Sequence, residues 1–215
     1  MSTKKGKIGN HRFHGDPDRF AVLAAYINEN YRGKVKLPNP TVEVSSPALR
    51  RERNPAEAEN LLRVHPQAYV HGFPRRGIKT IADVADGQGM LSRILSKKYN
   101  FDCEVIDPRG YPLIGVKNRK EEYRSNMADY YDLIVGLHPD EALKEVVYSA
   151  IIRPVIVIPC CNFWSRNEVL GWEELLKVIE KYYSGEGVQS KRVIFDFSGP
   201  KNIGLVSAPP ITTRA

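Results

Sequence analysis

Segment 79–109 limits the possible folds of this 215-residue chain more than any other part of it. A short apolar run ends at Asp86, Gly87 and Gly89 follow, and the next residues carry apolar side chains at helical spacing. A second apolar run then ends at Asp107. The order strand, glycine turn, helix, strand and carboxylate predicts half of a nucleotide-binding α/β fold.

The residues at the two strand ends indicate what such a unit would bind. Glycines let backbone N–H groups approach a ligand closely, because no Cβ intervenes. In a parallel sheet, ligands bind beyond the carboxyl ends of the strands. Asp107 closes the second strand, where a carboxylate can accept hydrogen bonds from both hydroxyls of a ribose. The sequence therefore predicts a ligand that contains a nucleoside.

The heptapeptide DVADGQG, residues 83–89, resembles the first motif of class I S-adenosylmethionine (SAM)-dependent methyltransferases. In that motif an acidic residue and a hydrophobic residue precede G-x-G-x-G. The chain departs from it at Ala85, whose methyl group is tolerable if the residue keeps a negative φ. Dinucleotide-binding dehydrogenases are the main competitor, but the third glycine of their fingerprint would stand near Ser92 and is absent. The resemblance implies SAM as the cofactor, bound by Asp83, Ala85, Asp86, Gly87, Gly89 and Asp107.

Charge is distributed unevenly along the chain. Residues 1–79 contain 15 Lys and Arg against 7 Asp and Glu, whereas residues 80–215 contain 17 against 18. A basic segment ahead of a near-neutral core indicates a polyanionic partner, with nucleic acid first. The alternative is a solvated surface without a partner. Aromatic residues interleaved with cations can stack bases, so the predicted substrate contacts are Arg50, Arg51, Arg75 and Arg76.

Domain organisation and cellular location follow from composition. We expect a basic N-terminal extension over 1–78, with a disordered tail at 1–10 and one or two helices, and a SAM-binding domain over 79–215. One helix should begin near Asp16 and pack against the sheet edge or lie over the cofactor cleft. Three cysteines do not make a disulfide framework, and no apolar run reaches the length of a membrane span or a secretory signal. These features predict a cytoplasmic protein that does not bind membranes.

A second group of polar residues follows two later strands. Leu137 ends a buried strand and precedes the loop of His138 and Asp140, and the strand at 154–158 precedes the loop 159–164. Both loops should meet the glycine turn at the carboxyl edge of the sheet. For a hydroxyl acceptor, His138 or Asp140 is the candidate general base. Each has a structural alternative, a loop hydrogen bond for the histidine and the helix N-terminus for the carboxylate.

Loop 159–164 supplies the remaining candidates. Asn162 would bond the substrate and Trp164 would stack a base or pack in the core. Cys160 and Cys161 are either a pocket wall, with Cys160 near the substrate, or a covalent nucleophile of the kind that methylates C5 of pyrimidines. Adjacent side chains at a strand end should point in opposite directions and chelate one metal poorly, so no metal site is predicted.

An LHPDE loop followed by PCC is similar to the layout of tRNA uridine 2′-O-methyltransferases and of related CC-containing methyltransferases. This resemblance implies methylation of tRNA or rRNA at a ribose 2′-hydroxyl. It also implies an adenine contact after the third strand, near Asn126 and Met127, with Leu137 in the cofactor pocket. The N/D-P-P-Y tetrapeptide of amino-group methylating enzymes is missing, since GLHP stands in its place. A small-molecule or protein methyltransferase and a non-catalytic RNA-binding relative remain alternatives.

Two apolar segments near the C-terminus, 192–197 and 203–206, are joined by SGPKN and predict an antiparallel hairpin. An antiparallel last strand is what the methyltransferase resemblance implies. The predicted fold is therefore α/β, a Rossmann-like methyltransferase sheet that is mostly parallel, with a C-terminal antiparallel hairpin and helices on both faces. Its oligomeric state is not indicated by the sequence.

Overall fold

The structure, a computed structural model, describes residues 16–33, 69–70, 73–74, 77–110, 112–165, 168, 170–199 and 201–210. The predicted tail at 1–10 lies outside these ranges, as do the four arginines proposed as substrate contacts, Arg50, Arg51, Arg75 and Arg76. Their proposed contact with RNA therefore stays a prediction.

Seven strands form one mixed sheet in the order β3-β2-β1-β4-β5-β7-β6. The strands are β1 Thr80–Val84, β2 Asp102–Ile106, β3 Lys117–Arg119, β4 Leu133–Leu137, β5 Val155–Ile158, β6 Gln189–Ile194 and β7 Ile203–Ala208. Strands β1 to β5 are parallel to one another, and β7 is inserted antiparallel between β5 and β6. This order confirms the predicted Rossmann-like methyltransferase fold with its C-terminal antiparallel hairpin. A separate two-stranded ladder pairs Tyr69–Val70 with Phe73–Pro74.

Four α-helices cover the two faces of this sheet: α1 Arg19–Tyr31, α2 Met90–Tyr99, α3 Leu143–Tyr148 and α4 Trp172–Gly185. Side chains of α1 and α2 pack in one apolar cluster, and those of α3 and α4 pack in the other. Neighbouring residues of β1 divide between the clusters, with Ile81 in the first and Ala82 in the second. Because successive side chains of a strand point to opposite faces, apolar strands buried on both sides position the sheet between two helical layers.

Helix α1 belongs to this packed unit. Five of its side chains are buried in the first cluster, namely Phe20, Leu23, Ala24, Ile27 and Tyr31. The Ile78 N–H also donates to the Tyr31 carbonyl, which joins the end of α1 to the chain entering β1. Helix α1 is therefore part of the core of the sheet domain, although the sequence assigned it to an extension ahead of residue 79.

The hairpin begins earlier than its apolar pattern indicated. Strand β6 covers Gln189–Ile194, whereas Phe195 and Phe197 lie after it and are buried. Their rings stack with centroids 6.3 Å apart, and Tyr26 of α1 packs edge-on against Phe195. The apolar pattern at these two positions therefore comes from packing in the cluster that contains α1, and not from a strand. None of the helices in the described ranges has the length and apolar content that crossing a bilayer requires.

Candidate functional site

The ends of four strands bring most of the sequence-predicted site residues to one edge of the sheet. The glycine turn follows β1, Asp107 follows β2, His138 follows β4 and Pro159 follows β5. Strands β1 and β4 are adjacent, and the chain continues from β1 towards β2 on one side and β4 lies on the other. The crevice between them is a topological switch point, where ligands bind in open α/β sheets.

The turn after β1 has three consecutive odd-numbered residues with a left-handed backbone: Ala85 at φ 60°, Gly87 at φ 62° and Gly89 at φ 76°. A Cβ on Gly89 would lie 2.6 Å from Val105 Cγ2 and 2.8 Å from Val116 Cγ1, so only glycine fits there. Ala85 does not keep the negative φ under which its methyl group was expected to be tolerable. The left-handed conformation of an alanine costs about 1–2 kcal/mol, because Cβ crowds the following carbonyl.

Asp107 lies directly against this turn. Its side chain is fully buried, and its Oδ2 accepts a hydrogen bond of 2.9 Å from the Gly87 N–H. The predicted contact between the acidic end of the second strand and the glycine turn is therefore present in the structure. A buried carboxylate at this position would accept hydrogen bonds from a ribose diol if its lone pairs were available.

Those lone pairs are taken by Arg109. The guanidinium donates to Asp107 through Nη2 at 2.7 Å and through Nε at 3.0 and 3.2 Å, and the Arg109 backbone N–H donates at 2.8 Å. Nη2 also donates to the Ala85 carbonyl at 3.2 Å. A Cβ on Gly87 would lie 3.6 Å from Nη2, so the same side chain covers the open face of the turn. Ribose can reach Asp107 only if Arg109 moves.

This ion pair sets the protonation of Asp107. Burial raises the pKa of the carboxyl group, but the hydrogen bonds and positive charge of Arg109 outweigh burial and hold the pKa below its ordinary value. The Arg109 side chain is 53% exposed, whereas that of Asp107 is 0% exposed. Asp107 is thus an anion held in place by burial. The Arg109 side chain is half exposed and has room to move into solvent.

Asp83 and Asp86 use their oxygens to form the N-terminus of α2. Asp83 Oδ2 accepts from the Ser92 N–H at 3.0 Å and from its hydroxyl at 2.8 Å, and Asp86 Oδ2 accepts from the Leu91 N–H at 3.3 Å. Burial raises the pKa of Asp83 to about 6, although Ser92 opposes the shift. Burial and the charge of Asp83 also raise the pKa of Asp86. Each of these two carboxyl groups therefore keeps its proton to a higher pH than a free carboxyl group does.

His138 begins the loop after β4 with a left-handed backbone at φ 57°. Its Nε2 lies 3.3 Å from the Lys201 carbonyl oxygen. Since a carbonyl can only accept, Nε2 carries the hydrogen and Nδ1 of the neutral ring is the acceptor. Burial lowers the pKa of His138 below 6.5, against the opposing effect of the Lys201 carbonyl. The ring is therefore neutral near pH 7, which is the state a general base requires.

Asp140 and the two adjacent cysteines form a cluster beside His138. Asp140 also has a left-handed backbone, at φ 43°, and its Oδ1 accepts a hydrogen bond of 3.4 Å from the Cys160 thiol. Burial and the neighbouring Cys161 and Asp140 raise the pKa of Cys160 to about 12. Cys160 is thus a thiol near neutral pH, which disfavours its use as a nucleophile because the thiolate is the reactive form.

Asn162 and Trp164 have local partners. The Asn162 side chain donates to the Glu168 carbonyl and accepts from the Ser165 N–H, so it holds its own loop together. The Trp164 ring packs edge-on against Tyr148 and Tyr182, with centroids 6.2 and 5.8 Å away. Of the two roles weighed for Trp164, the contacts support core packing between α3 and α4.

Asn126 and Met127, the expected adenine contacts, do not directly follow the third strand. Strand β3 ends at Arg119, so residues 120–122 follow it, whereas Asn126 and Met127 lie on a 3-10 helix at Ser125–Tyr130. That helix precedes β4, and the Ser125 N–H bonds to Glu145 of α3. The proposed contact of Asn126 and Met127 with adenine stays a prediction. Leu137, in contrast, is the last residue of β4 and is buried among the residues of the first apolar cluster.

Two arginines belong to this site and were not among the sequence-predicted residues. Arg109 follows Asp107 by two positions, a spacing at which a long side chain can fold back onto a strand-end carboxylate. Arg19 begins α1 and interacts electrostatically with Asp86 and Cys160. The first contact is local and the spacing was readable from the sequence. The second joins residues far apart in the chain and had no local signal.

The chain matches no protein-family model, and no curated protein matches it significantly. A similar solved structure is a ribosomal protein L11 methylase from Lactobacillus delbrueckii subsp. bulgaricus, at 18% identity and TM-score 0.39 over 61% of this chain and 70% of that one. Another is a precorrin-6y C5,15-methyltransferase from Geobacter metallireducens GS-15, at 13% identity and TM-score 0.38 over 73% and 88% of the two chains. A third is a SAM dependent methyltransferase from Archaeoglobus fulgidus, at 12% identity and TM-score 0.40 over 72% and 94%.

These likenesses assign neither a family nor an acceptor, because the identities are low and all three TM-scores are below 0.5. The strand order defines the class at the level of the fold, a Rossmann-like methyltransferase sheet. The residues of the site fit the ribose of SAM only if Arg109 moves away from Asp107. Asp107 supplies a fixed acceptor beside the turn, but the guanidinium that covers it has to be displaced.

Proposed function

We propose that this protein is a SAM-dependent methyltransferase that acts on RNA, with tRNA or rRNA as the substrate and a ribose 2′-hydroxyl as the acceptor. One observation carries the proposal: the buried Asp107 carboxylate bonds the Gly87 N–H at the switch point between β1 and β4. That geometry brings an acceptor for a ribose diol next to a glycine turn whose backbone a ligand can approach closely.

Arg109 is the residue that cofactor binding has to move. Each ribose hydroxyl that donates to Asp107 would replace a guanidinium hydrogen, so the carboxylate stays satisfied in both states. The replaced side chain is half exposed and can turn into solvent, where its charge is well hydrated. The ribose hydroxyls would replace the hydrogen bonds of the guanidinium with their own bonds to the same buried carboxylate, so the net cost of the exchange is smaller than the strength of either set of bonds.

SAM supplies an electrophilic methyl group on a sulfonium, and the residues of this chain have to position the acceptor and remove its proton. His138 is suited to the second task. Its Nε2–H is bonded to Lys201, which orients the ring, and the lowered pKa keeps Nδ1 unprotonated near neutral pH. The acceptor hydroxyl would lose its proton to Nδ1 as its oxygen takes the methyl group.

Backbone strain supports a functional role for this edge. Among the described residues, four non-glycine residues have a positive φ, and three of them, Ala85, His138 and Asp140, lie in the loops after β1 and β4. The fourth, Asn100, ends α2 in the left-handed conformation that asparagine commonly adopts there. Strain of this kind costs roughly 1–3 kcal/mol per residue and concentrates at ligand sites.

RNA as the substrate rests on the charge of the chain and on the LHPDE and PCC resemblance. The excess of Lys and Arg lies ahead of residue 80. A polyanion such as RNA would be attracted to a segment with this charge.

Two alternatives each have an observation in their favour. Arg19 at the start of α1 interacts with Asp86 and Cys160, so this helix covers part of the edge. A covered site suits a small-molecule acceptor better than a polymer. The saturation of Asp107 by Arg109 favours a relative that has lost SAM binding and retains an RNA-binding role.

Incubation with methyl-labelled SAM and total RNA from the source organism tests the proposal. Label should enter RNA and survive alkaline hydrolysis as dinucleotides, because a methylated 2′-oxygen cannot attack the neighbouring phosphate. Label in bases, in proteins or only in small metabolites would contradict the 2′-hydroxyl assignment, and the last two would contradict RNA as the substrate.

A further inference from the structure

We propose that Asp140, Cys160 and Cys161 form a binding site for a thiophilic divalent cation of the zinc class. Their ligand atoms, one carboxylate oxygen and two Sγ atoms, all lie within 4.8 Å of one another. The Cys160 Sγ is 3.4 Å from Asp140 Oδ1. This cluster lies beside the adenosine site and shares none of the residues that would hold SAM.

The spacing suits a tetrahedral site. With zinc–sulfur bonds of about 2.3 Å and zinc–oxygen bonds of about 2.0 Å, neighbouring ligand atoms of a tetrahedron are roughly 3.5–3.8 Å apart. The measured sulfur–oxygen distance of 3.4 Å is already close to that edge length. The remaining pairs need to close by about 1 Å at most, which side-chain rotation achieves without moving the backbone.

The backbone explains why two adjacent cysteines face one point. Strand β5 ends at Ile158, so Cys160 and Cys161 lie beyond the region in which neighbouring side chains alternate between faces. The expectation that the two thiols point apart rested on that alternation. The His138 N–H donates to the Ile158 carbonyl at 2.9 Å and joins the two loops at their base. The left-handed φ of 43° at Asp140 then belongs to the loop that faces the cysteines.

Charge at this edge favours an occupied site. Two thiolates and one carboxylate around a divalent cation leave a net charge of −1, and both thiol protons go to water. Arg19 interacts electrostatically with Cys160, and Arg109 interacts with Asp140, so positive charge flanks the complex on two sides. Soft thiolates select zinc-class ions over magnesium or calcium. Three protein ligands leave a fourth position open for water or a substrate atom, and Cys161 is exposed, so the cation can enter.

The alternative explanation of the same contacts is a cysteine thiol that donates a hydrogen bond to a carboxylate and binds no cation. It needs no second thiol and predicts no cation. The two explanations differ in stoichiometry, in the number of thiolates formed and in the dependence on Cys161, and each of these is measurable without SAM or RNA.

Titration of the reduced, full-length protein with Cd²⁺ tests the site, because cadmium thiolates have an ultraviolet charge-transfer band that increases with the number of thiolates. We expect one Cd²⁺ per chain, a band from two thiolates and release of about two protons. Cys160→Ser and Cys161→Ser should each halve the band and weaken binding at least about tenfold. Excess Zn²⁺ should compete with Cd²⁺ for the wild-type site and reduce the band.

Two further variants keep the test decisive. Asp140→Asn suits the left-handed backbone, which asparagine tolerates, so it should fold, keep the two-thiolate band and bind at least about tenfold more weakly. Cys103→Ser changes the buried cysteine of β2 and should leave binding unchanged. A band that survives the loss of both Cys160 and Cys161, a one-thiolate band, or no binding to the folded protein would overturn the proposal. Each outcome is read without SAM or RNA, so failure of this proposal is distinguishable from failure of the proposed methyl transfer.

Discussion

The guanidinium of Arg109 covers the carboxylate of Asp107, with Nη2 2.7 Å from Oδ2 and Nε 3.0 Å from Oδ1. The residue expected to bind the ribose is thus present at the glycine turn but already has hydrogen-bond partners. The proposed activity depends on exchange of this ion pair for a ribose diol. The predictions that follow test that exchange, the strain around the site and the protonation of its acids and bases.

Arg109→Gln should strengthen SAM binding. The variant removes the bidentate fork from Asp107 and leaves the carboxylate open, so the cost of displacing the guanidinium disappears. A hydrogen bond from Arg109 to this buried carboxylate is worth about 1.5–3 kcal/mol, so the loss of this competitor should raise the affinity for SAM by about tenfold or more. Isothermal titration calorimetry measures this, with Arg93→Gln as the control of equal charge. Weaker binding by Arg109→Gln alone would instead indicate that Arg109 contacts the cofactor.

Ala85→Gly should stabilise the fold. Glycine adopts a φ of 60° without the Cβ clash that alanine suffers, and the relief exceeds the added flexibility of the unfolded chain. We expect the free energy of unfolding to rise by up to about 1 kcal/mol, as measured by urea denaturation. Ala82→Gly in the preceding strand β1 is the control. It is fully buried and has no positive φ, so that substitution should destabilise the protein.

His138→Gln should remove the proposed base while an amide N–H remains to reach the Lys201 carbonyl. Loss of a general base lowers kcat by about 10²–10⁴-fold with little change in KM. Because burial lowers the pKa of His138, the wild-type profile of kcat/KM against pH should fall on the acid side with a midpoint below 6.5. The variant should lack that limb. A loss smaller than tenfold with the limb intact would show that His138 only holds its loop.

Asp83 should make the protein less stable as the pH rises. Its pKa in the fold is about 6, above the ordinary 3.8, so between these values the folded state keeps a proton that the unfolded state has lost. The free energy of unfolding therefore falls as the pH rises from about 4 to about 6. Denaturation at a series of pH values should show this decline, and Asp83→Asn should reduce it to the part that Asp86 contributes, since the pKa of Asp86 is also raised.

Ser92→Ala complements that test. The Ser92 hydroxyl donates to Asp83 at 2.8 Å and stabilises the carboxylate, so its loss should raise the pKa further and extend the decline to higher pH. A profile that is the same in the wild type and in both variants would mean that Asp83 is not the group that titrates.

Local patterns predicted most of the fold. The glycine turn with its flanking strands and helix α2 has short-range periodicity, and the antiparallel hairpin has two apolar runs around a turn. The ends of the hairpin strands were misplaced because Phe195 and Phe197 are apolar for packing under α1, a contact between distant parts of the chain. Asn126 and Met127 were placed after the third strand by counting residues; β3 is only three residues long, and the two residues lie on the 3-10 helix that follows it, so their contact with adenine stays a prediction.

The sequence identified most residues of the candidate site, but few of the contacts between their side chains. Strand order brings Asp107, His138 and Cys160 to one edge, and a sequence pattern conveys that order. The rotation of Arg109 onto Asp107, the positive φ of Ala85 and the convergence of the two thiols depend on backbone angles. The amino-acid type of a residue other than glycine does not reveal these backbone angles. The sequence alone therefore indicated a more open site.

Calorimetric titration of SAM into the wild-type protein and the Asp107→Ala variant tests the central claim most directly. Each hydrogen bond to a charged group contributes about 1.5–3 kcal/mol, so losing two from a ribose diol should weaken binding more than about hundredfold. The account predicts measurable binding by the wild type and none by the folded variant, as judged by circular dichroism. Equal affinities, or no binding by the wild type at millimolar SAM, would contradict it.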